Sequence, residues 1–293
     1  MTEPTTNTLA VPGATLTYDV RRNDASDAPV LLIIGSPMGA SGFVTLASHF
    51  TDRTVATYDP RGVERSVKAD DTAQSTPEDH ADDLHAVIGA LGGGPVDVFA
   101  SSGGAVNALA LVARHPDDVR LVVAHEPPAA GVLPDRDAAF AAIRDMRDTY
   151  QRDGLGPAMV RFITLVSYDG EIPADFAAQQ FPDPAMFGMP GEDDGSRNDP
   201  LFAQNLITCT HYEPDFVALA SAKASLVIAR GEESGSTLAA RAADAIAAGL
   251  GTTAVAFPSD HGGFLGGEYG QTGQPDEFAA KLRKVLAAQP VGV

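Results

Sequence analysis

Short apolar runs alternate with longer stretches of mixed polarity along most of the chain. Val30–Ile34 is apolar at every position, which is typical of a strand buried on both faces of a sheet. Two further runs lie on either side of Pro12-Gly13 and predict a hairpin. We predict strands at Leu9–Val11, Thr15–Val20, Val30–Ile34, Thr54–Asp59, Val96–Phe99, Val119–Ala124, Ser225–Ala229 and Thr253–Phe257.

The stretches between several of these strands carry helical signals. Thr76 and Pro77 are typical of a helix N-cap and first helical residue, for a helix that reaches about Leu91. We also predict helices at Ser41–His49, Gly103–His115 and Glu277–Ala288. Apolar strands that alternate with helices indicate the α/β class, with a mostly parallel central sheet and helices on both of its faces.

The alternation stops between residues 129 and 222. This stretch predicts helices at roughly 135–152, 155–167, 172–180 and 199–209, with a Gly/Pro/Asp-rich loop at Pro182–Pro200 that could act as a lid. We interpret 129–222 as an inserted α-helical cap, and 1–128 and 223–293 as the core. The cap's large apolar residues suit a hydrophobic pocket, although packing inside the cap explains most of them equally well. They are Met159, Phe162, Phe176, Phe181, Met186, Phe187, Met189 and Phe202.

Composition narrows the classes of partner. The 39 acidic residues outnumber the 20 basic ones, and the formal net charge of −19 disfavours nucleic acid and anionic membranes as partners. The chain shows no signal-peptide or transmembrane pattern. Cys209 is the single cysteine, so no intrachain disulfide can form, and we expect a buried small hydrophobe there. We expect a cytoplasmic protein with a small-molecule partner, and a homodimer is compatible with the sequence.

A chemical signal lies where an apolar strand meets a helix, at Ala100-Ser101-Ser102-Gly103-Gly104. A serine at the apex of so tight a turn has a strained backbone, so the residues two before and two after it must be small. Ser102 meets this requirement, whereas Phe99 would crowd Ser101. Ser102 is thus the candidate nucleophile, and the N–H of Gly103 is a candidate oxyanion donor. This motif alone leaves open a plain strand–glycine–helix connection with a solvated serine.

A serine nucleophile needs a histidine base within hydrogen-bond reach. His261 follows the last predicted strand, and the glycines after it allow its loop to lie close to Ser102. We therefore choose His261 as the base. Four other histidines fall in predicted helices or at their ends, where we expect surface positions: His49, His80, His85 and His115.

The carboxylate that orients this base has two candidate positions. Serine hydrolases of this architecture commonly carry it after the strand that corresponds to Ser225–Ala229, in a Gly-x-x-Asp pattern, but that position is Ser234 here. Glu126 ends the preceding strand, where an ionisable residue is costly unless it is paired. We favour Glu126, with Glu233 as the main rival. The weaker candidates are Glu232, which fits a solvated loop, and Asp260, which is adjacent to His261 in the chain.

The second oxyanion donor is expected in the loop after Val30–Ile34. Pro37 has no N–H, so Ser36 is the first candidate and Met38 the second. Asp59 and Arg61, at the end of the next strand, are expected to tie loops together near the site.

With these pieces the chain resembles the α/β-hydrolase superfamily. The matching motifs are Gly35-Ser36-Pro37, the stretch Tyr58 to Ser66, the turn at Ser102 and His261-Gly262, and together they cover the core, about two-thirds of the chain. Within the superfamily, Ser101-Ser102-Gly103 and His125-Glu126-Pro127 resemble the zearalenone lactone hydrolases.

That resemblance implies an α/β-hydrolase fold with Ser102 as nucleophile, Glu126 as acid, His261 as base, and Ser36 with Gly103 as oxyanion donors. It departs in the cap, since those lactonases place a tryptophan against their substrate and this chain has none.

The function predicted from the sequence is hydrolysis of a neutral, hydrophobic carboxylic ester or lactone through an acyl-enzyme, without a cofactor or a metal. Hydrolysis of a C–C bond in a β-diketone-type metabolite by the same residues is one alternative. A non-catalytic small-molecule receptor on the same fold is the other, because fold does not fix function.

Overall fold

The computed structural model describes residues 3–189 and 192–288, and the element bounds refer to those residues. The strands are β1 (Thr5–Val11), β2 (Ala14–Arg21), β3 (Leu31–Ile34), β4 (Val55–Asp59), β5 (Val67–Lys68), β6 (Val96–Ser101), β7 (Val119–His125), β8 (Ser225–Gly231) and β9 (Val255–Phe257). The α-helices are α1 (Val44–Ser48), α2 (Pro77–Ala90), α3 (Gly103–Arg114), α4 (Arg136–Asp153), α5 (Leu155–Val166), α6 (Leu206–Thr210), α7 (Phe216–Ser221), α8 (Leu238–Gly249) and α9 (Pro275–Ala287).

The nine strands of the described residues form one sheet in the order β1-β2-β4-β3-β6-β7-β8-β9, with β5 paired to β2. The strands from β4 to β9 along this order run parallel, while β2 pairs antiparallel with β1, β4 and β5. β3 and β6 are buried along their whole length, as expected for central strands covered on both faces. The predicted α/β class and the mostly parallel sheet are confirmed.

Two apolar layers cover the sheet. One contains buried residues of α2, α3 and α8, and the other contains buried residues of α1 and α9. The N-cap predicted at Thr76 is confirmed, and it forms a capping box: the Thr76 hydroxyl accepts the N–H of Asp79 and the Asp79 carboxylate accepts the N–H of Thr76. The predicted helix Ser41–His49 is shorter than expected: Ala40–Phe43 is a 3₁₀ turn, and α1 follows it.

Between β7 and β8 the described residues form helices and turns and no strand. α4 and α5 match the predicted helices, and Gly154, with φ +84°, separates them. The predicted helix 172–180 is wrong, since only the 3₁₀ turn Phe176–Ala178 forms and the N–H of Ile172 donates to the Asp135 carboxylate. The predicted helix 199–209 is a π-helical segment, Pro200–Asn205, that continues into α6. Residues 190 and 191 of the predicted Pro182–Pro200 loop lie outside the described residues.

The apolar residues of this stretch pack mainly on each other. Phe176 and Phe202 are fully buried in a third apolar cluster, and Met159, Phe162 and Phe181 pack around it. No helix within the described residues has the length and apolar character to cross a membrane.

Candidate active site

The carboxyl ends of neighbouring parallel strands bring the candidate residues to one edge of the sheet. β3, β6, β7, β8 and β9 are consecutive in the sheet, and each is followed by a candidate residue or loop. In open α/β sheets, the crevice outside the carboxyl ends of the strands is where ligands bind.

Ser102 occupies the single residue between β6 and α3. Its backbone has φ +55° and ψ −127°, a strained conformation for a residue other than glycine. Its N–H donates to the carbonyl of His125 at 3.0 Å, which fixes the turn to the end of β7. Ser101 is buried and pairs with His125 in the β-ladder, whereas Ser102 is only partly buried. The structure therefore presents Ser102, and not Ser101, at the apex of the turn.

The glycines after Ser102 allow the turn to pack against the loop after β3. A Cβ on Gly103 would lie 2.5 Å from the carbonyl oxygen of Ser36, and a Cβ on Gly104 would lie 2.7 Å from the Cα of Gly35. Both distances are below any real Cβ contact, so only glycine fits. The small residues predicted from the strain of the turn are also needed for this close approach.

Glu126 and His261 form a direct hydrogen bond. The Nδ1 of His261 lies 2.6 Å from the Oε2 of Glu126, and the N–H of Gly231 donates to the Oε1 of Glu126 at 2.8 Å. Glu126 is fully buried, while the side chain of His261 is 47% exposed. The carboxylate is thus fixed from the protein side, and the imidazole keeps an edge toward solvent.

The electrostatics favour an ionised Glu126. Burial alone raises the pKa of this carboxyl, but the hydrogen bond and the positive charge of His261 lower it to about 2. A carboxylate that stays ionised can hold His261 with its proton on Nδ1 and leave Nε2 as the basic nitrogen.

The other candidate carboxylates point elsewhere. The Oε1 of Glu233 accepts a hydrogen bond from Gln274 at 3.1 Å, and the carboxylate of Asp260 accepts the N–H of Gly262 at 2.9 Å. Glu232 and Glu233 are both exposed. Of the four carboxylates considered, the structure brings Glu126 against His261.

The loop after β3 lies beside the start of α3. Ser36 is buried, its carbonyl oxygen faces Gly103, and Met38 packs back toward Gly35 and Gly42. The first N–H groups of a helix have no partner within the helix, so the N–H of Gly103 is available to a ligand. The structure thus brings the two predicted oxyanion residues, Ser36 and Gly103, into contact.

Asp59 anchors that loop, as predicted. Its Oδ1 accepts the N–H of Ala40 at 2.8 Å, and its Oδ2 accepts from the Nε of Arg65 at 2.6 Å. Arg61 forms two hydrogen bonds of 2.7 Å with the buried carboxylate of Asp83 on α2. These contacts join the ends of β3 and β4 to the helix layer.

The sequence did not indicate three features of the site. Gly231, whose N–H holds Glu126, had only a strand-end glycine as its signal. His125 lies under the site in a cage of Phe99, Phe257, Phe264 and Phe278, and its ring is 6.1 Å from the ring of His261. His80 was expected at the surface, which is wrong: it is buried, and its Nε2 lies 2.8 Å from the side-chain oxygen of Asn205 in the π-helical segment.

The chain is similar to known proteins in sequence and in fold. Residues 28–178 match a family described as alpha/beta hydrolase fold. The chain is 28% identical over 286 residues, 95% of each chain, to the uncharacterized hydrolase YraK of Bacillus subtilis. Among solved structures, it is similar to a thermophilic esterase from Thermogutta terrifontis, with a TM-score of 0.67, 20% identity and coverage of 97% and 98% of the two chains.

A second solved structure is the carboxylesterase CesB from Bacillus subtilis, with a TM-score of 0.64, 16% identity and coverage of 98% and 92%. At such identities these likenesses concern the fold alone, and they agree with the fold expected from the sequence motifs.

Proposed function

We propose that this chain, which belongs to the α/β hydrolase family, is a serine hydrolase that cleaves neutral, hydrophobic carboxylic esters or lactones. The observation that carries the proposal is the 2.6 Å hydrogen bond between His261 and the buried Glu126, next to the strained turn at Ser102. Family membership makes the chain a hydrolase of this fold, while the nucleophile, the ester or lactone preference and the substrate belong to the proposal.

In the proposed mechanism, the Oγ of Ser102 attacks the carbonyl carbon of the substrate. The Nε2 of His261 takes the hydroxyl proton as the Oγ–carbon bond forms, and the imidazolium that results faces the ionised Glu126. The N–H groups of Gly103 and Ser36 donate to the oxyanion that develops on the carbonyl oxygen.

The attack gives a tetrahedral intermediate. Its collapse breaks the bond between the carbonyl carbon and the alcohol oxygen, and the alcohol leaves with the proton from His261. Water then attacks the acyl-enzyme with His261 again as the base, and the acid is released with Ser102 restored. These steps use only side chains and backbone groups of this chain, so the proposal includes no cofactor.

The proposed substrate class rests on the net charge of the chain and on the apolar side chains between β7 and β8. A net charge of −19 works against strongly anionic substrates, and the stretch between β7 and β8 is rich in apolar side chains. The names of the two solved structures, an esterase and a carboxylesterase, agree with ester hydrolysis. The resemblance of the Ser/Glu/His order to zearalenone lactone hydrolases supports including lactones. The partner is then a small molecule, and no nucleic acid or membrane enters the proposal.

The test compares two adjacent serines. Ser102→Ala should abolish covalent labelling by a fluorophosphonate and turnover across a panel of neutral esters and lactones, whereas Ser101→Ala should keep both. Intact-protein mass spectrometry during turnover should show an acyl adduct in the wild type.

Each alternative gives a different result. Loss of labelling in Ser101→Ala alone would place the nucleophile one residue earlier. Turnover of a β-diketone but of no ester would favour C–C hydrolysis, and binding of a panel compound without turnover would favour a receptor. A preference for phosphorylated or dianionic esters would overturn the substrate class.

A further inference from the structure

A group of histidine and aspartate side chains lies at the far end of α3 from Ser102. α3 has 12 residues, so its two ends are roughly 18 Å apart at 1.5 Å per residue. His115 follows the last turn of α3, Asp118 lies in the turn before β7, and His85 lies on α2. These residues belong to three elements and take no part in the proposed hydrolysis.

The two imidazoles of this group are arranged face to face. The rings of His85 and His115 are stacked with centroids 4.2 Å apart and an angle of 7° between their planes. The Nδ1 of His85 is 2.7 Å from a carboxylate oxygen of Asp118, and the Nε2 of His115 is 2.8 Å from one of Asp82. Each ring is therefore already oriented by a carboxylate.

We propose that His85, His115 and Asp118 form a binding site for one divalent transition-metal ion of the Zn²⁺ type. One ligand atom from each of these side chains lies within 4.8 Å of the other two, and among the described residues no other group of His, Cys, Asp or Glu side chains meets this condition. Imidazole nitrogen and carboxylate oxygen are ligands that Zn²⁺ prefers, and water can complete a tetrahedral site.

Both rings must turn out of their stacked arrangement to form the site. Ligand atoms at about 2.0 Å from a tetrahedral Zn²⁺ lie roughly 3.3 Å from one another. The side chain of His85 is 54% exposed and that of His115 is 24% exposed, so both rings have room to turn toward Asp118. The ion would join α2, the end of α3 and the turn before β7.

Asp82 would contact His115, a ligand of the ion, and not the ion itself. Its carboxylate contacts both His115 and the guanidinium of Arg114, the latter at 2.9 Å. The neighbouring cation makes Asp82 a poor direct ligand for a second cation. A carboxylate that holds the distal nitrogen of a ligating histidine fixes its orientation and raises its basicity, which is the role the geometry gives Asp82.

Titration calorimetry with ZnCl₂ at pH 7.5, on untagged protein stripped with a chelator, tests the proposal. The wild type should bind one equivalent with a Kd below 100 µM, and thermal unfolding should shift upward with added Zn²⁺, since an ion that binds the folded state stabilises it. His85→Ala, His115→Ala and Asp118→Asn should each weaken binding at least tenfold, while His49→Ala should bind like the wild type.

The catalytic pair is the competing site, and His261→Ala distinguishes it. If His261→Ala binds one equivalent of Zn²⁺ as the wild type does, the ion is not at the catalytic pair, which supports the site at His85, His115 and Asp118. Loss of binding in His261→Ala together with wild-type binding in His85→Ala would overturn the proposal. So would millimolar binding that is insensitive to all three ligand substitutions.

Discussion

Glu126 combines complete burial with a negative charge, a combination that is costly unless the charge is paired and hydrogen-bonded. The structure supplies two compensations: the imidazole of His261 and the N–H of Gly231. Glu126 also has φ +50°, unusual for this residue type, and its own N–H donates to Ala229 at the end of β8. These hydrogen bonds and this unusual backbone conformation fix the position of the Glu126 carboxylate.

Replacement of Glu126 by glutamine tests its proposed role as the acid. The amide keeps the size of the side chain but removes the charge that holds His261 in its tautomer, so turnover should fall by about 10⁴. Glu233→Gln is the matched control, because Glu233 is exposed and contacts Gln274, and it should stay within about tenfold of the wild type. The measurement is the turnover of both variants, and of Glu232→Gln, on one ester at neutral pH.

Thermal unfolding separates a catalytic defect from a folding defect in this pair. Glu126→Gln should unfold at a temperature close to that of the wild type, since the amide oxygen can still accept from Gly231. An active Glu126→Gln beside an inactive Glu233→Gln would return the acid to the usual position after β8.

Local sequence was informative about Ser102 and His261, because turn strain and loop glycines act over a few residues. Glu126 was proposed less directly, from the serine at position 234, the cost of an unpaired charge at the end of an apolar strand and the resemblance of its motif. Its contact with Gly231 depends on the register between β7 and β8, residues about 100 apart in the chain. The burial of His80 depends on how the π-helical segment docks on α2, and no local pattern contains that information.

Among the elements, the unit of β6, the turn at Ser102 and α3 is tightly constrained by its packing. α3 begins where its first two glycines lie against the backbone after β3, so helix, turn and oxyanion loop form one packed unit. The residues of α3 from Gly103 to Val112 are all buried, which prevents the helix from moving away to relieve a clash.

Gly104→Ala should therefore disturb this unit. The added Cβ would lie 2.7 Å from the Cα of Gly35 and 2.9 Å from the carbonyl oxygen of Ile34, and backbone has to shift to admit it. We expect a loss of about 1–3 kcal/mol in the free energy of unfolding, together with slower fluorophosphonate labelling of Ser102.

Gly89→Ala is the control, since Gly89 lies in α2 with no atom within 4 Å of the added Cβ. Alanine is the better helix former, so this variant should gain roughly 0.5–1 kcal/mol and label normally. Denaturant unfolding and labelling rates measure both effects, and a Gly104→Ala protein as stable and as reactive as the wild type would contradict the packing argument.

The helices between β7 and β8 were the least predictable elements. α4 and α5 have regular amphipathic patterns and a glycine between them, and both were found close to their predicted bounds. The segment 172–180 instead gives its first N–H to Asp135, a long-range contact. α7 was not predicted, and neither was α8, which follows β8 and contributes Ala243 and Ile246 to the apolar layer with α2 and α3.

At the scale of the whole molecule, each layer of the sheet buries one histidine. His80 lies in the layer of α2, and His125 contacts the phenylalanines of the layer with α9. Neither ring nitrogen of His125 has a hydrogen-bond partner among the described residues. Burial lowers the pKa of each histidine from 6.5 to about 4, so the folded protein holds both rings neutral.

The lowered pKa values of His80 and His125 make the free energy of unfolding sensitive to mild acid. Between about pH 6.5 and pH 4 the unfolded chain binds a proton at each histidine and the folded chain does not, so the free energy of unfolding falls as the pH falls. From pH 7 to pH 5 each histidine should lower it by about 2 kcal/mol. The pKa of Glu126, lowered to about 2, affects stability only at more acid pH, below about 4.5.

His125→Phe should reduce the acid sensitivity by half, whatever it does to stability at pH 7. The substitution removes a titrating ring from an aromatic cage in which its nitrogens make no hydrogen bond, so the loss between pH 7 and pH 5 should fall from about 4 to about 2 kcal/mol. Val123→Ala, at another buried position of β7, lowers stability without changing titration and should keep the full loss. Denaturant unfolding of the three proteins at both pH values gives the numbers. Equal losses in His125→Phe and the wild type would show that the buried ring does not set the pH dependence.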